Sequence, residues 1–245
     1  IVGTGGTPTV RAGNGADVIR VNFDQDGVQT FLNGLGGPLT VEGNGDSDRF
    51  EVGLSGQGAS LINVVGETTA GSANDELRIF GTNNADLFLF RPHVIATIEV
   101  DANRQPLANP DIERVNYLGI FGGQIRVFGR EGDDTFVFDD TSAPLEVFGD
   151  AGDDLFQVGQ MFRSPRDVTN PFNGLLADDY FETTLTTRGY LSNGISEAAT
   201  LHGGFGRDSF TVYRNKAQLF LLGEEDDDSF RIRAFVKVNP DDPKA

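Results

Sequence analysis

The stretch Ile125-Arg126-Val127-Phe128-Gly129-Arg130-Glu131-Gly132-Asp133-Asp134-Thr135-Phe136-Val137-Phe138 is followed, after six residues, by Leu145-Glu146-Val147-Phe148-Gly149-Asp150-Ala151-Gly152-Asp153-Asp154-Leu155-Phe156-Gln157-Val158. In both, apolar residues recur at every second position on either side of a turn rich in Gly and Asp. That pattern reads as strand, tight turn, strand, with one face buried. Ile125, Val127, Phe136 and Phe138 are expected to point inward, and Arg126, Thr135 and Val137 outward. Asp134 and Asp154 lie 20 residues apart, closer than the roughly 30 residues of a strand-helix-strand unit allow. Such units bury their apolar faces only by stacking, with Phe136 over Phe156 and, further along, Phe210 over Phe230.

The same frame recurs at Asp17, Asp48, Asp86, Asp208 and Asp228, making seven copies. Each aspartate has an apolar residue seven positions earlier, from Val10 to Leu221, and apolar residues two and four positions later. Gly stands five positions earlier in every copy but the first, which has Ala12. A repeat of this kind predicts an all-β fold, a parallel β-helix or β-roll-like solenoid with coils of about 20 residues and irregular insertions.

Irregular coils are expected over 1–90, a loop excursion over 91–112, regular coils over 113–158 and 199–236, an insertion over 159–198, and a linker or exit over 237–245. Residues 28–32 and 112–117 read as extra strands, which would give some coils three strands and a triangular cross-section. Within the insertion, 180–187 is strand-like and 189–194 reads as an exposed turn. The chain enters strand-like sequence by Thr9 and Val10 with no capping segment, so it reads as a single segment of a longer polypeptide.

Composition agrees with a slim core: 38% hydrophobic residues, mean hydropathy −0.25, and 20 Phe with no Trp among 245 residues. One repeated packing slot filled by one residue type accounts for that bias. A net charge of −18 repels phosphate backbones and anionic lipid surfaces, which argues against a nucleic-acid partner. No run of about 20 apolar residues offers a membrane-inserting helix. The absence of Cys excludes disulfides, thiolate zinc sites and thiol catalysis. Much of the acid sits at the turns (Asp133, Asp134, Asp150, Asp153, Asp154, and Glu224 to Asp228), where stacking brings like charges together. Either solvent and salt or a bound divalent cation must offset that repulsion.

The turn at Gly203-Gly204-Phe205-Gly206-Arg207-Asp208-Ser209-Phe210-Thr211 matches the nonapeptide G-G-x-G-x-D-x-U-x at every specified position, and those opening at Gly129 and Gly149 match at all but the second Gly. Calcium takes six to eight hard oxygens, which a Gly-rich turn supplies as carbonyls and a stacked neighbour completes with a second carboxylate. The candidate pairs are Asp134 with Asp154 and Asp208 with Asp228, supported by Gly129, Gly149 and Gly203. The metal-free alternative is that each aspartate accepts hydrogen bonds from amides of its own turn. Asp17, Asp48 and Asp86 lack a partner about 20 residues away and are weaker candidates. His93 and His202 stand in unrelated contexts, no catalytic motif is present, and no enzymatic activity is expected.

The Leu145-to-Asp154 type of repeat, together with the segment Thr187-Arg188-Gly189-Tyr190-Leu191-Ser192-Asn193-Gly194-Ile195-Ser196, resembles very large bacterial exported proteins with hemolysin-type, repeats-in-toxin-like calcium-binding repeats. The resemblance implies an extracellular or cell-surface location, a Ca2+ cofactor, and a structural or adhesive role in a surface layer, matrix or filament. Partners would be flanking repeats of the same polypeptide, end-to-end copies of the chain, or cell-surface glycan. The competing class is a carbohydrate-binding or polysaccharide-modifying β-helix, with the 159–198 insertion or the 91–112 excursion lining a groove.

Overall fold

The computed structural model describes residues 1, 3–66, 74–119, 124–169, 175–176 and 179–235. The protein is all-β, about 49% strand, and no described residue lies in an α-helix. Among the described residues no helix is therefore long and apolar enough to cross a membrane.

Two large sheets hold 17 of the strands. The seven-stranded sheet is built from β2 (Val18–Val21), β4 (Arg49–Gly53), β6 (Glu76–Phe80), β10 (Ile125–Phe128), β12 (Leu145–Ala151), β17 (Ala199–Phe205) and β19 (Leu219–Glu224), side by side in that order and parallel throughout. The ten-stranded sheet runs β1 (Thr9–Gly13), β3 (Leu39–Asn44), β5 (Ser60–Val65), β9 (Ile112–Leu118), β8 (Val94–Ile98), β7 (Leu87–Arg91), β11 (Thr135–Phe138), β13 (Leu155–Val158), β18 (Ser209–Val212), β20 (Ser229–Ile232). Only β8 runs against its neighbours there. Apart from the β7-β8-β9 meander and a small third sheet, the chain alternates strictly between the two large sheets. Both contribute to a single apolar core that includes Val41, Phe50, Ile79, Phe88, Phe136, Val147, Phe156 and Phe210.

Alternation with a period of two explains both the burial and the register. In β10, and in β12 as far as Gly149, the residues at odd positions are buried and those between them half-exposed, because successive side chains in a strand point to opposite faces. Like residues pair across parallel strands: Val127 with Val147, Phe136 with Phe156, Phe156 with Phe210, Phe210 with Phe230. The interior phenylalanines form a column, with ring centroids 5.1 Å apart for Phe88 and Phe136, 4.7 Å for Phe136 and Phe156, 4.6 Å for Phe156 and Phe210, and 4.9 Å for Phe210 and Phe230, the planes within 12° of parallel. Strand spacing near 4.8 Å leaves identical rings no other arrangement.

The insertion does not disturb that register. Although 159–198 intervenes, β13 pairs directly with β18 and β12 with β17. The inserted residues form the third sheet from β14 (Met161–Phe162), β16 (Gly189–Ser192) and β15 (Thr183–Thr186), all antiparallel. Charged groups bind it to the outside of the ten-stranded sheet. Arg114 Nη1 lies 2.9 Å and Arg91 Nη1 3.5 Å from Asp179 Oδ1, and the Arg91 guanidinium stacks on Phe181 while its Nε lies 3.3 Å from Asp139 Oδ2 at the end of β11 itself. Asp139 and Asp179 are buried, and pairing with guanidinium is what makes such burial tolerable.

Three expectations need correction. Residues 28–32 are not a strand: Gln29 makes an isolated bridge to Phe23 and its side-chain amide donates to Leu54 O, at 2.8 Å. Residues 112–117 do form a strand, β9, but it lies within the ten-stranded sheet between β5 and β8, so it adds no third side. Gly189 to Gly194 is not an exposed turn, since Gly189–Ser192 is the central strand of the small sheet and Leu191 to Ile195 are buried. The bend there falls on Thr187 and Arg188.

Candidate cation-binding turns

The turn of every copy except the one ending at Asp86 carries two residues in the left-handed region of backbone space. In the turn before β11 these are Arg130 (φ 84°) and Gly132 (φ 113°), before β13 Asp150 (φ 71°) and Gly152 (φ 143°), before β18 Gly204 (φ 106°) and Gly206 (φ 123°), and before β20 Glu224 (φ 74°) and Asp226 (φ 70°). This shared geometry, which Gly adopts without steric penalty, underlies the loosely kept second and third glycines of the nonapeptide. Where the backbone of the next layer closes in, only Gly fits: a Cβ on Gly206 would strike Gly152 O.

The aspartate after the turn is locked to the glycine five positions earlier. A Cβ on Gly149 would lie 2.5 Å from Gly203 O and 2.9 Å from Asp154 Cγ, and one on Gly203 would lie 2.6 Å from Gly223 O and 2.7 Å from Asp208 Cγ. The carboxylate thus occupies the volume that any larger residue would need, and this explains why Gly and Asp recur five apart.

One oxygen of each carboxylate joins the layers. The amide N–H of Asp86 donates to Asp134 Oδ1 (2.7 Å), that of Asp134 to Asp154 Oδ1 (2.7 Å), that of Asp154 to Asp208 Oδ1 (2.9 Å), and that of Asp208 to Asp228 Oδ1 (2.9 Å). The expected pairs, Asp134 with Asp154 and Asp208 with Asp228, are therefore segments of one column that also takes in Asp86 and crosses the insertion. A second column runs Asp17, Asp48, Asp75, with Asp17 N–H on Asp48 Oδ1 and Asp48 N–H on Asp75 Oδ1, each 2.9 Å. Bonding to the neighbouring layer thus replaces the expected bonding within each aspartate's own turn. Asp86 makes both kinds, since its Oδ2 accepts Thr82 N–H at 2.7 Å.

The two columns lie at opposite connections. Asp17, Asp48 and Asp75 precede strands of the seven-stranded sheet, whereas Asp86, Asp134, Asp154, Asp208 and Asp228 precede strands of the ten-stranded one. The cause is β5, a lone strand between the second and third copies, which makes β6 stack on β4 (Leu77 beside Phe50, Ile79 beside Val52). Asp75 was missed because it carries half of the frame: Leu77 and Ile79 follow at two and four positions, but Ala70 stands where Gly is expected. That half was the available signal.

In five of these aspartates the second oxygen has no partner. Oδ2 of Asp17, Asp48, Asp134, Asp154 and Asp208 is buried without a hydrogen bond, a costly state for an ionised group. Burial accordingly pushes the carboxyl of Asp134 up to about 9, that of Asp154 to about 8, and those of Asp86 and Asp208 to about 6. Either a proton or a cation on Oδ2 resolves the deficit. The donors within reach are the hard oxygens calcium takes: Oδ2 of Asp134, Asp154 and Asp208, with the carbonyls of Gly149, Gly203 and Gly223 packed against the same glycines. No group of three or more His, Cys, Asp or Glu side chains converges on one point among the described residues, so a cation here would rely chiefly on backbone carbonyls.

An outer row of turn acids is served by arginine. Arg104, on the loop between β8 and β9, places Nη2 2.9 Å from Asp133 Oδ2 and donates from Nη1 to Asp153 O at 2.8 Å. Arg207 Nη2 lies 3.4 Å from Asp153 Oδ2, and its amide donates to Asp153 Oδ1 at 2.9 Å. Guanidinium therefore supplies part of the positive charge that this acidic edge requires.

His202, by contrast, belongs to no acidic turn. It ends an outer row of stacked rings, Phe80, Phe128, Phe148, His202, with centroids 4.5 to 5.0 Å apart, and its Nδ1 is 2.8 Å from Glu224 Oε1. Near Asp86, a cleft of about 320 Å³ is lined by Thr82, Asp86, Thr97, Glu99, Asp111 and Glu113. No protein-family model matches the chain, and comparisons with curated proteins and with solved structures find no significant match.

Proposed function

We propose that this chain is a structural or adhesive repeat segment of a large extracellular bacterial protein, part of a surface layer, matrix or filament, built as a parallel β-solenoid and stabilised by calcium at its turns. The observation that carries this reading is the unbroken column Asp86, Asp134, Asp154, Asp208, Asp228 beside the phenylalanine column. Everything regular in the chain serves layer-to-layer contact, which suits a spacer. The resemblance of the turns to repeats-in-toxin nonapeptides supports the location and the metal. Flanking repeats and further copies of the chain are the partners this architecture accommodates, and nucleic acid is disfavoured by the charge.

Calcium would be held by Oδ2 of Asp134 and Asp154, and of Asp208 and Asp228, with carbonyls of the Gly129, Gly149 and Gly203 turns, displacing the protons that otherwise sit there. Equilibrium dialysis at neutral pH tests this: the parent takes up calcium, and Asp134→Ala and Asp154→Ala each take up less. No uptake by the parent, or undiminished uptake by both variants, removes the metal from the proposal.

A second reading, a carbohydrate-binding or polysaccharide-modifying solenoid, is favoured by one observation, the cleft between the β8-β9 region and the turn at Asp86. The outer aromatic row weighs against it. Sugars stack on ring faces, and here neighbouring rings occupy those faces. Glycan binding lost on Glu99→Gln or Asp111→Asn would favour this second reading over the scaffold.

A further inference from the structure

The interior row of phenylalanines stops at the β7-β8-β9 meander. There the registers place Thr97 beside Phe88, Glu113 beside Thr97 and Ser60 beside Glu113. Two strands thus set polar side chains in the row where β11, β13 and β18 set Phe136, Phe156 and Phe210. Both point inward, since Ile95 and Val115, two residues along each strand, belong to the core. Thr97 is 7% exposed and Glu113 4%. Continuing the same pairings two positions toward the rim brings Asp86, Glu99 and Asp111 into line. Glu99 N–H donates to Asp111 O at 3.0 Å, and Asp111 N–H to Glu99 Oε2 at 3.1 Å. The β8-β9 loop carries Arg104 away to Asp133 and Asp153, and the cleft of about 320 Å³ opens where parallel layers have a stacked turn.

Four carboxylates line this cleft, those of Asp86, Glu99, Asp111 and Glu113, and among the described residues no Lys, Arg or His does. Glu113 is held in place, accepting Ser55 N–H at 3.0 Å, Ser55 Oγ at 2.8 Å and Gly56 N–H at 2.7 Å. Thr97 also lines the cleft, and its hydroxyl makes no hydrogen bond among the described residues, which is exceptional for a buried polar group. Charge of one sign in a recess attracts a cation. A single metal ion fits poorly, because among the described residues no three acidic side chains converge on one point. The rim carboxylates stand instead on successive strands, about 5 Å apart. Ammonium groups separated by a few methylenes match that spacing, and the Thr97 hydroxyl can accept from one of them. A neutral sugar would leave the carboxylates uncompensated. The volume is at the lower end of small-molecule sites.

We propose that this cleft, where the rim acids Asp86, Glu99 and Asp111 meet the inward-facing Glu113 and Thr97, binds a small organic cation carrying two or more protonated amines. The site lies apart from the Asp134-Asp154 and Asp208-Asp228 pairs and goes beyond the scaffold reading, since a spacer can carry it.

Isothermal titration calorimetry of the full chain with spermidine tests the assignment. The parent binds one spermidine, less tightly as salt rises. Glu99→Gln with Asp111→Asn weakens binding about tenfold or more, and Thr97→Val, which keeps the shape and breaks no existing hydrogen bond, weakens it about three- to tenfold. Glu182→Gln with Glu197→Gln, an equal change of charge at exposed positions of the insertion, leaves binding unchanged. The proposal fails if the parent does not bind, if it binds many spermidines weakly, or if the insertion pair weakens binding as much as the cleft pair, for then the attraction is that of a diffuse acidic surface. One-for-one displacement of spermidine by calcium would make this a metal site, and equal affinity for uncharged N-acetylated chitobiose would make it a neutral-sugar site; either result overturns the assignment. The β-1,4-linked glucosamine disaccharide separates the two sources of such a cation. Preferred over spermidine, it points to an amine-bearing glycan, and otherwise the ligand is a free polyamine. None of these failures touches the stacking of Phe136 on Phe156 or of Asp134 on Asp154, so the scaffold reading stands or falls separately.

Discussion

Replacing Gly149 by Ala tests the lock between glycine and aspartate most directly. Gly149 has no positive φ, so Ala can adopt its backbone. Without a steric conflict the change should stabilise, by about 0.4–1 kcal/mol, through a less flexible unfolded chain. The structure argues for the opposite sign. The new methyl would sit 2.5 Å from Gly203 O and 2.9 Å from Asp154 Cγ. Gly203 lies in β17, which is paired on both sides and cannot retreat, so the Asp154 carboxyl must move and release the Asp134 N–H. Overpacking costs about 1–3 kcal/mol and the lost hydrogen bond about 1 more. For a chain of this size, that corresponds to a melting temperature lower by roughly 4–16 °C. Thermal unfolding followed by circular dichroism reads it, with Gly5→Ala, where a Cβ meets nothing within 4 Å, as the control expected within about 0.5 kcal/mol. In combination with Asp154→Ala the penalty of Gly149→Ala should shrink by about 1 kcal/mol. A Gly149→Ala variant as stable as Gly5→Ala would show that the recurrence of Gly and Asp has another origin.

Because burial raises the Asp134 and Asp154 carboxyls to about 9 and about 8, above their unfolded values near 4, the folded state binds the extra protons. Their contribution is complete below about pH 4 and is lost as pH rises through 8 to 9; Asp134→Asn should therefore flatten the alkaline part of a stability-against-pH curve measured without metal. Phe136→Ala, which empties a slot between Phe88 and Phe156, should destabilise by about 3–5 kcal/mol in denaturant titration. Arg104→Ala, losing a half-exposed pair with Asp133, should cost no more than about 1 kcal/mol, and its melting temperature should respond to added calcium more than the parent's, since the acidic edge has lost its built-in cation.

The repeated unit was legible because one rule, an apolar residue at every second position, serves every layer. Phe136 and Phe156, or Val127 and Val147, could be aligned by counting alone. The candidate aspartates were legible for the same reason, but their grouping was not. Sequence separation suggested isolated pairs, while stacking joins Asp154 to Asp208 across an insertion and Asp86 to Asp134 across a meander, because hydrogen bonds between layers depend on spatial order. The change of edge between Asp48 and Asp86 was invisible for a related reason: β5 looks like any other strand, and only its position as an odd one matters. Residues 189–194 misled because Gly and Asn there signal a turn, while burial under the docked sheet, anchored by Arg91 and Arg114, decides otherwise.

The odd strand has a consequence for how such chains can lengthen. Adding or deleting strands two at a time keeps every later carboxylate on the rim it already occupies. Adding one transfers all of them to the opposite rim while hardly altering the interior. A rod assembled from such segments could therefore display its acidic stripe on either flank, or on each in turn, by a rearrangement as small as a single β-strand.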